Sequence, residues 1–135
     1  MKPKNIQEIK RQVDALRDGM GKPIDSKIKP LVIGLWRWGI KTDMSCQGHK
    51  PDGYPFPWVT VFHSQAKRVA RVVAWQNRPI LCNGRKNKNH WVLKPGGYTF
   101  QLRPERIKGL RQLQRDAITF GEFLQGLPDT WEEGS

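Results

Sequence analysis

Ser45-Cys46-Gln47-Gly48-His49 places a hydroxyl, a thiol and an imidazole around one glycine within five positions. Four kinds of chemistry suit such a group. The first is anion or ligand binding. A glycine lets backbone amides approach a phosphate or carboxylate, while hydroxyls and an imidazole supply further hydrogen bonds. Thr42, Ser45, Cys46, Gly48 and His49 are therefore the candidate cofactor- or ligand-binding residues, with Arg37, Lys41 and Lys50 as neighbouring cations. The second is metal ligation, since Cys46 and His49 have the C-x-x-H spacing that can share one ion. A closed zinc site needs four ligands, and Cys82, His63 or His90 could be further ones. With no second close pair of donors, no metal site is assigned. The third is a Cys46 nucleophile with His49 as its base, which needs an orienting carboxylate that the centre of the chain lacks. No catalytic residue is assigned, and whether the chain is an enzyme stays open. The fourth is purely structural: a turn in which hydroxyls cap backbone and Cys46 is a small buried hydrophobe.

The charge pattern points to a class of partner. The 135 residues carry 24 Lys+Arg against 12 Asp+Glu, a net charge of +12. Between Gly53 and Pro104 there is no acidic residue, yet this stretch holds nine Lys or Arg and eight Phe, Trp or Tyr. Cationic surfaces gain affinity for polyanions by releasing condensed counterions, and aromatic faces stack on exposed bases. Ordinary surfaces mix both signs, so an acid-free stretch of this length favours a nucleic-acid partner. RNA is favoured over DNA. The expected cation-rich face comprises the third helix, the Asn83–Asn89 loop and the neighbouring hairpin, with Arg68, Arg71, Arg85, Lys86 and Lys88 as phosphate contacts and Tyr54, Phe56 or Trp58 as stacking residues. A module that binds an acidic protein or a nucleoprotein complex is the rival of a different class. No run approaches the ~20 apolar residues of a membrane span. With no secretory h-region and only two cysteines, the expectation is a cytoplasmic protein with reduced thiols.

The elements that must position these residues follow from periodicity. Ile6, Ile9, Val13 and Leu16 predict an amphipathic helix over 4–18, ended by Gly19 and Gly21. Ile28, Leu31, Val32 and Leu35 predict a second, capped by Asp25 or Ser26 and running to Trp38, with Pro30 in its first turn. At least one of Trp36 and Trp38 must then be partly exposed or covered by another element. Strands are expected over 40–46 and 58–62, and a helix over 64–77 with Ala66, Val69, Ala70 and Val73 inward and Val72 as a further candidate. A short strand over 80–82 is a further candidate, a parallel partner for 40–46. Residues 90–94 and 98–103 flank Pro95-Gly96-Gly97 as a hairpin, and 105–124 form the last helix with Ile107 on its apolar stripe. The expected fold is α+β, a mainly antiparallel sheet of four to five strands with about four helices packed on it. A single domain is expected over 1–128, with 129–135 a loose acidic tail.

At 24–49 the chain also resembles a known family. Asp25, a helix with Leu31-Val32, then Thr42, Ser45, Cys46 and Gly48 are similar to the "D, helix with LV and N, then T-x-S-S-C-S-G-R" segment of the wybutosine-synthesis tRNA methyltransferases. Met44 stands where that family has the first serine of the pair, and His49 where it has arginine. The resemblance implies an α+β fold, S-adenosylmethionine as cofactor and tRNA as substrate. It makes an S-adenosylmethionine-dependent tRNA methyltransferase the enzymatic alternative; apart from it, no cofactor is assigned. The S-C-x-G-H motif and its aromatic, Pro-rich sequel also look like those of small bacterial and phage-borne proteins, a likeness that implies no function.

Overall fold

The structure is a computed structural model that describes residues 2–49, 53–79 and 86–130. Helix α1 (Ile6–Ala15) starts where the Asn5 side chain accepts from the amides of Gln7 and Glu8, and it buries Ile9 and Val13. It stops three residues before the expected end. Arg17 donates to the carbonyls of Asp14 and Leu16, and the following turn closes on Asp18, whose side chain accepts from Met20 and Lys22. Helix α2 (Lys29–Arg37) has Pro30 in its first turn and no side-chain cap; a turn over 26–28 takes the place of the expected N-terminal residues. Leu31 to Arg37 are all buried, which makes α2 the central helix. Both tryptophans that follow are covered. Trp36 donates to the Thr42 hydroxyl, and Trp38 donates to the Leu124 carbonyl and packs edge-on against Trp75.

Strands β1 (Thr42–Cys46), β2 (Trp58–Phe62), β3 (Trp91–Gly96) and β4 (Thr99–Pro104) form one antiparallel sheet in the order β1-β2-β4-β3. Between Thr42↔Val61 and Ser45↔Val59, β1 uses one residue more than β2, a bulge. There the Thr60 hydroxyl bonds both the amide and the carbonyl of Met44. The β3–β4 hairpin turns at Gly97-Tyr98, with Gly97 at φ +54°. Pro95 and Gly96, expected in the turn, pair instead with Phe100 and Thr99. Pro95 is tolerated because β3 is an edge strand. The expected strand over 80–82, and its parallel pairing with β1, lie outside the described residues.

A single-turn 3-10 helix (63–65) leads into α3 (Ala66–Gln76), which buries Val69, Val72, Trp75 and Gln76. Val73 packs half-buried against the same core, while Ala70, expected inward, is exposed. Helix α4 (Leu110–Gly126) begins later than expected, because the chain beyond Pro104 stays bound to the hairpin through the Glu105 amide and the His90 carbonyl. Ile107 consequently lies ahead of the helix and is 56% exposed.

All four helices place their buried residues in one core with Val59, Val61, Trp91 and Leu102 of the sheet. The alternate strand positions Trp58, Thr60, Phe62, Val92, Lys94, Gln101 and Arg103 point to the other face and are half-buried or exposed. Among the described residues, helices thus cover one side of the sheet and leave the other without a helical layer. Where α2 crosses α4, Gly121 meets the backbone of Pro30 and Leu31, and Gly34 meets Leu124. No helix among the described residues is long and apolar enough to cross a membrane.

Candidate nucleic-acid interface and the adjoining cluster

The face left open by the helices owes its character to strand register. Val59↔Leu102 and Leu93↔Leu102 are cross-strand pairs on the core side, so Trp58, Arg103 and Val92 come level on the other. Thr60, Gln101 and Lys94 make the next row and Phe62 and Thr99 the one after. No acidic residue occurs on β2, β3 or β4. At the end nearest Trp58 the chain adds two more aromatics. Tyr54 packs edge-on against Trp58 with ring centroids 6.1 Å apart and lies 5.1 Å from Phe56. The Arg103 guanidinium stands 5.5 Å over the Phe56 ring. Tyr54 is 53% exposed and Phe62 is 43% exposed. Rings on β2 and the segment before it thus adjoin cations on β4 and β3, over a surface that offers no competing carboxylate from these three strands.

The residues nominated from sequence divide between two layers. Tyr54 and Trp58 belong to this open face. Arg68 and Arg71 lie on α3 in the helical layer, where Arg68 donates to the Gly39 carbonyl. Lys86 and Lys88 are exposed on the approach to β3, and Arg85 lies outside the described residues. The hairpin was expected on the cationic face from sequence, but Lys94, Gln101 and Arg103 were not named as contacts. Their common face follows from the hairpin pairing, and the alternation along 91–104 was the signal available for it.

The Ser45–His49 loop leaves the same end of the sheet. Its amides are used internally: Gln47 donates to Asp25 Oδ2 (3.3 Å), Gly48 to Cys46 Sγ (3.4 Å) and His49 to the Tyr54 carbonyl (2.9 Å). The Gln47 carbonyl accepts from Gln114 of α4, and its side chain accepts from the Lys27 amide. Gly48 has φ +92°, and a Cβ there would lie 2.7 Å from Leu110 Cδ1 and 2.8 Å from the Phe56 carbonyl carbon. Its glycine character thus serves an internal close approach. An anion bound here would have to rely on side chains.

Of the five candidate ligand residues, Cys46, Gly48 and His49 stay together. Ser45 is half-buried opposite Val59, and Thr42 is at the far end of β1, holding Trp36. Arg37, named as a cation near this loop, is buried and donates to the carbonyls of Leu124 and Leu127 and to Asp129. It caps α4, and its place near the loop in sequence does not carry over to space. Lys41 sits 5.5 Å over the Trp36 ring, and Lys50 lies outside the described residues.

A residue not placed in the cluster by spacing joins it. Asp25, just before α2, brings Oδ2 to 4.0 Å from His49 Nε2, and ligand atoms of Asp25, Cys46 and His49 all lie within 4.8 Å of one another. Burial, with the Asp25 carboxylate adding to it, pushes the Cys46 thiol up from its ordinary pKa against the Gly48 N–H bond. The other donors considered with Cys46 and His49 are elsewhere. His63 follows the far end of β2 and stacks on Phe100, and His90 Nδ1 faces Glu105 at 3.5 Å beside the opposite edge strand. Cys82 lies outside the described residues.

A separate cavity of about 390 Å³ lies between the start of β3, the end of β4 and the start of α4. Trp91, His90, Lys108 and the buried Asp116 line it. Trp91 Nε1 and His90 Nε2 are buried there without a hydrogen-bond partner. Compared with protein-family models, curated proteins and solved structures, the chain matches none of them.

Proposed function

We propose that this protein binds single-stranded nucleic acid, RNA in preference to DNA, on the helix-free face of its sheet. The observation that carries the reading is the composition of that face: Tyr54, Trp58 and Phe62 interspersed with Lys94, Gln101 and Arg103, with no acid on β2, β3 or β4. Unstacked bases offer a π-face to each ring, worth about 1–3 kcal/mol per base. Arg and Lys meanwhile neutralise phosphates and release counterions. A stacked duplex keeps its bases from such rings, which favours single strands. The Lys86–Lys88 approach extends the cationic surface beyond the sheet.

The test is fluorescence anisotropy of a labelled oligouridine RNA against the full chain over a series of salt concentrations. Binding is expected to weaken steeply with salt. Tyr54→Ala should weaken it by about 5- to 150-fold, the loss of one stacked base. Arg103→Gln should lower the salt slope by about 0.7, one phosphate contact on a single strand. No salt-dependent binding at low ionic strength, or wild-type affinity in both variants, would overturn the proposal. Salt-sensitive capture of a protein but not of free RNA would favour the interaction-module reading.

The methyltransferase alternative ranks second. The loop that carries the resemblance spends its amides inside the protein, so it offers S-adenosylmethionine side chains only. Heat stabilisation by S-adenosylmethionine or its demethylated product would reverse that order.

A further inference from the structure

We infer that Asp25, Cys46 and His49 form a binding site for a zinc-like divalent transition metal, with three protein ligands and a fourth coordination position left for water or another oxygen donor. This does not depend on the sheet binding RNA.

Three observations point to it. The donors come from two segments, the turn before α2 and the loop after β1, and the fold brings them together. His49 Nε2 and Asp25 Oδ2 are 4.0 Å apart, with all three donor atoms within 4.8 Å. Bond lengths to zinc of about 2.0–2.3 Å put neighbouring ligand atoms roughly 3.3–3.8 Å apart in a tetrahedron. Closing the cluster on an ion therefore asks for movements of about 1 Å or less. The His49 side chain, 55% exposed, is free enough to make them.

Two of the ligand atoms are already aimed by backbone donors. The Gly48 amide holds Cys46 Sγ, and the Gln47 amide holds Asp25 Oδ2. Outer hydrogen bonds of this kind orient metal ligands and tune their basicity. Gly48 can serve in this way because its positive φ turns the chain sharply after Cys46, while Leu110 and Phe56 close the space behind it. The loop is anchored from α4 by Gln114, so the donors sit on a rigid support.

The donor set selects the metal class. One thiolate, one imidazole and one carboxylate suit zinc or cobalt, whereas magnesium and calcium prefer all-oxygen shells. On binding, Cys46 gives up its proton to solvent and Sγ becomes a ligand. Three protein ligands with one open position is the arrangement of zinc sites that bind and acidify a water.

The experiment uses the full chain, reduced and stripped with a chelator, titrated with Co2+ and then Zn2+. One equivalent of Co2+ should produce thiolate-to-cobalt charge-transfer absorption with the visible bands of a four-coordinate ion, and Zn2+ should displace it. Cys46→Ser should abolish the charge-transfer band, and Cys82→Ser should leave it unchanged. His49→Ala and Asp25→Asn should each weaken Zn2+ binding by at least about 100-fold, beyond the effect of losing an outer-shell partner. His49 is exposed, so its variant keeps the fold, which circular dichroism verifies. Absence of the band in the wild-type chain would overturn the proposal. So would a band that is lost with Cys82 but survives the loss of Cys46, or unchanged affinity in both His49→Ala and Asp25→Asn.

Discussion

Replacing Gly121 by alanine probes the contact on which the helical layer depends. A Cβ at Gly121 would lie 2.5 Å from the Leu31 amide nitrogen and closer still to the Pro30 carbonyl, whereas ordinary contact begins near 3.4 Å. The atoms in the way are backbone, so no side chain can rotate aside, and α2 and α4 must separate by about 1 Å. Overpacking of this kind costs typically 1–3 kcal/mol, and a backbone clash belongs at the upper end. Alanine recovers about 1 kcal/mol through its better helix propensity, which leaves a net loss of about 2 kcal/mol. For a chain of this length that is a fall of about 7 °C in Tm. Thermal unfolding followed by circular dichroism measures it. Gly126→Ala, with nothing within 4 Å of the new Cβ, is the control and should gain about 0.5 kcal/mol. A Gly121→Ala protein as stable as the wild type would refute the close crossing.

The nucleic-acid and metal experiments given above are two further predictions. A third concerns Arg37, whose buried guanidinium donates to the carbonyls of Leu124 and Leu127 at the end of α4. Arg37→Met should cost roughly 1–3 kcal/mol in urea unfolding by leaving the buried Leu127 carbonyl unpaired and the Leu124 carbonyl to Trp38 alone, while Asp129→Asn, at the exposed end of the same ion pair, should cost less than about 0.5 kcal/mol. Comparable costs would mean that the ion pair, and not the cap, holds the helix end. A fourth concerns pH. The amides of Lys22 and Met20 hold the Asp18 carboxyl below its ordinary pKa. A depressed carboxylate stabilises the fold above its unfolded pKa, and that contribution is lost as pH falls through the folded value. The Met20 and Lys22 amide resonances should therefore shift in acid, below the ordinary carboxylate range, and Asp18→Ala should remove that titration.

Periodicity was enough for much of the scaffold. The spacing of Ile28, Leu31, Val32 and Leu35 identified α2, because a helix that buries one face must repeat near 3.6 residues. The β-branched run at 58–62 identified β2, and the glycines after Pro95 identified the hairpin. Boundaries shifted where a long-range bond outweighed local preference. The Glu105 amide extends the hairpin and delays α4, and the edge position of β3 lets Pro95 remain in a strand. On α3, Trp75 packs edge-on against Trp38, and Ala70 alone of the expected inward positions is exposed.

The candidate site divides along the same line. Residue type alone singled out Cys46 and His49 as donors, and the acid-free stretch with its aromatics as a cationic binding surface. Both are properties of composition and near spacing. Only tertiary structure could bring Asp25 to His49 across the turn before α2, or send Arg37 into the core to cap α4. Only strand pairing could separate Tyr54 and Trp58 from Arg68 and Arg71 and set Arg103 beside Phe56 instead. Side-chain chemistry is written residue by residue, but which donors share a site depends on cross-strand register and helix packing, and these join positions far apart in the chain.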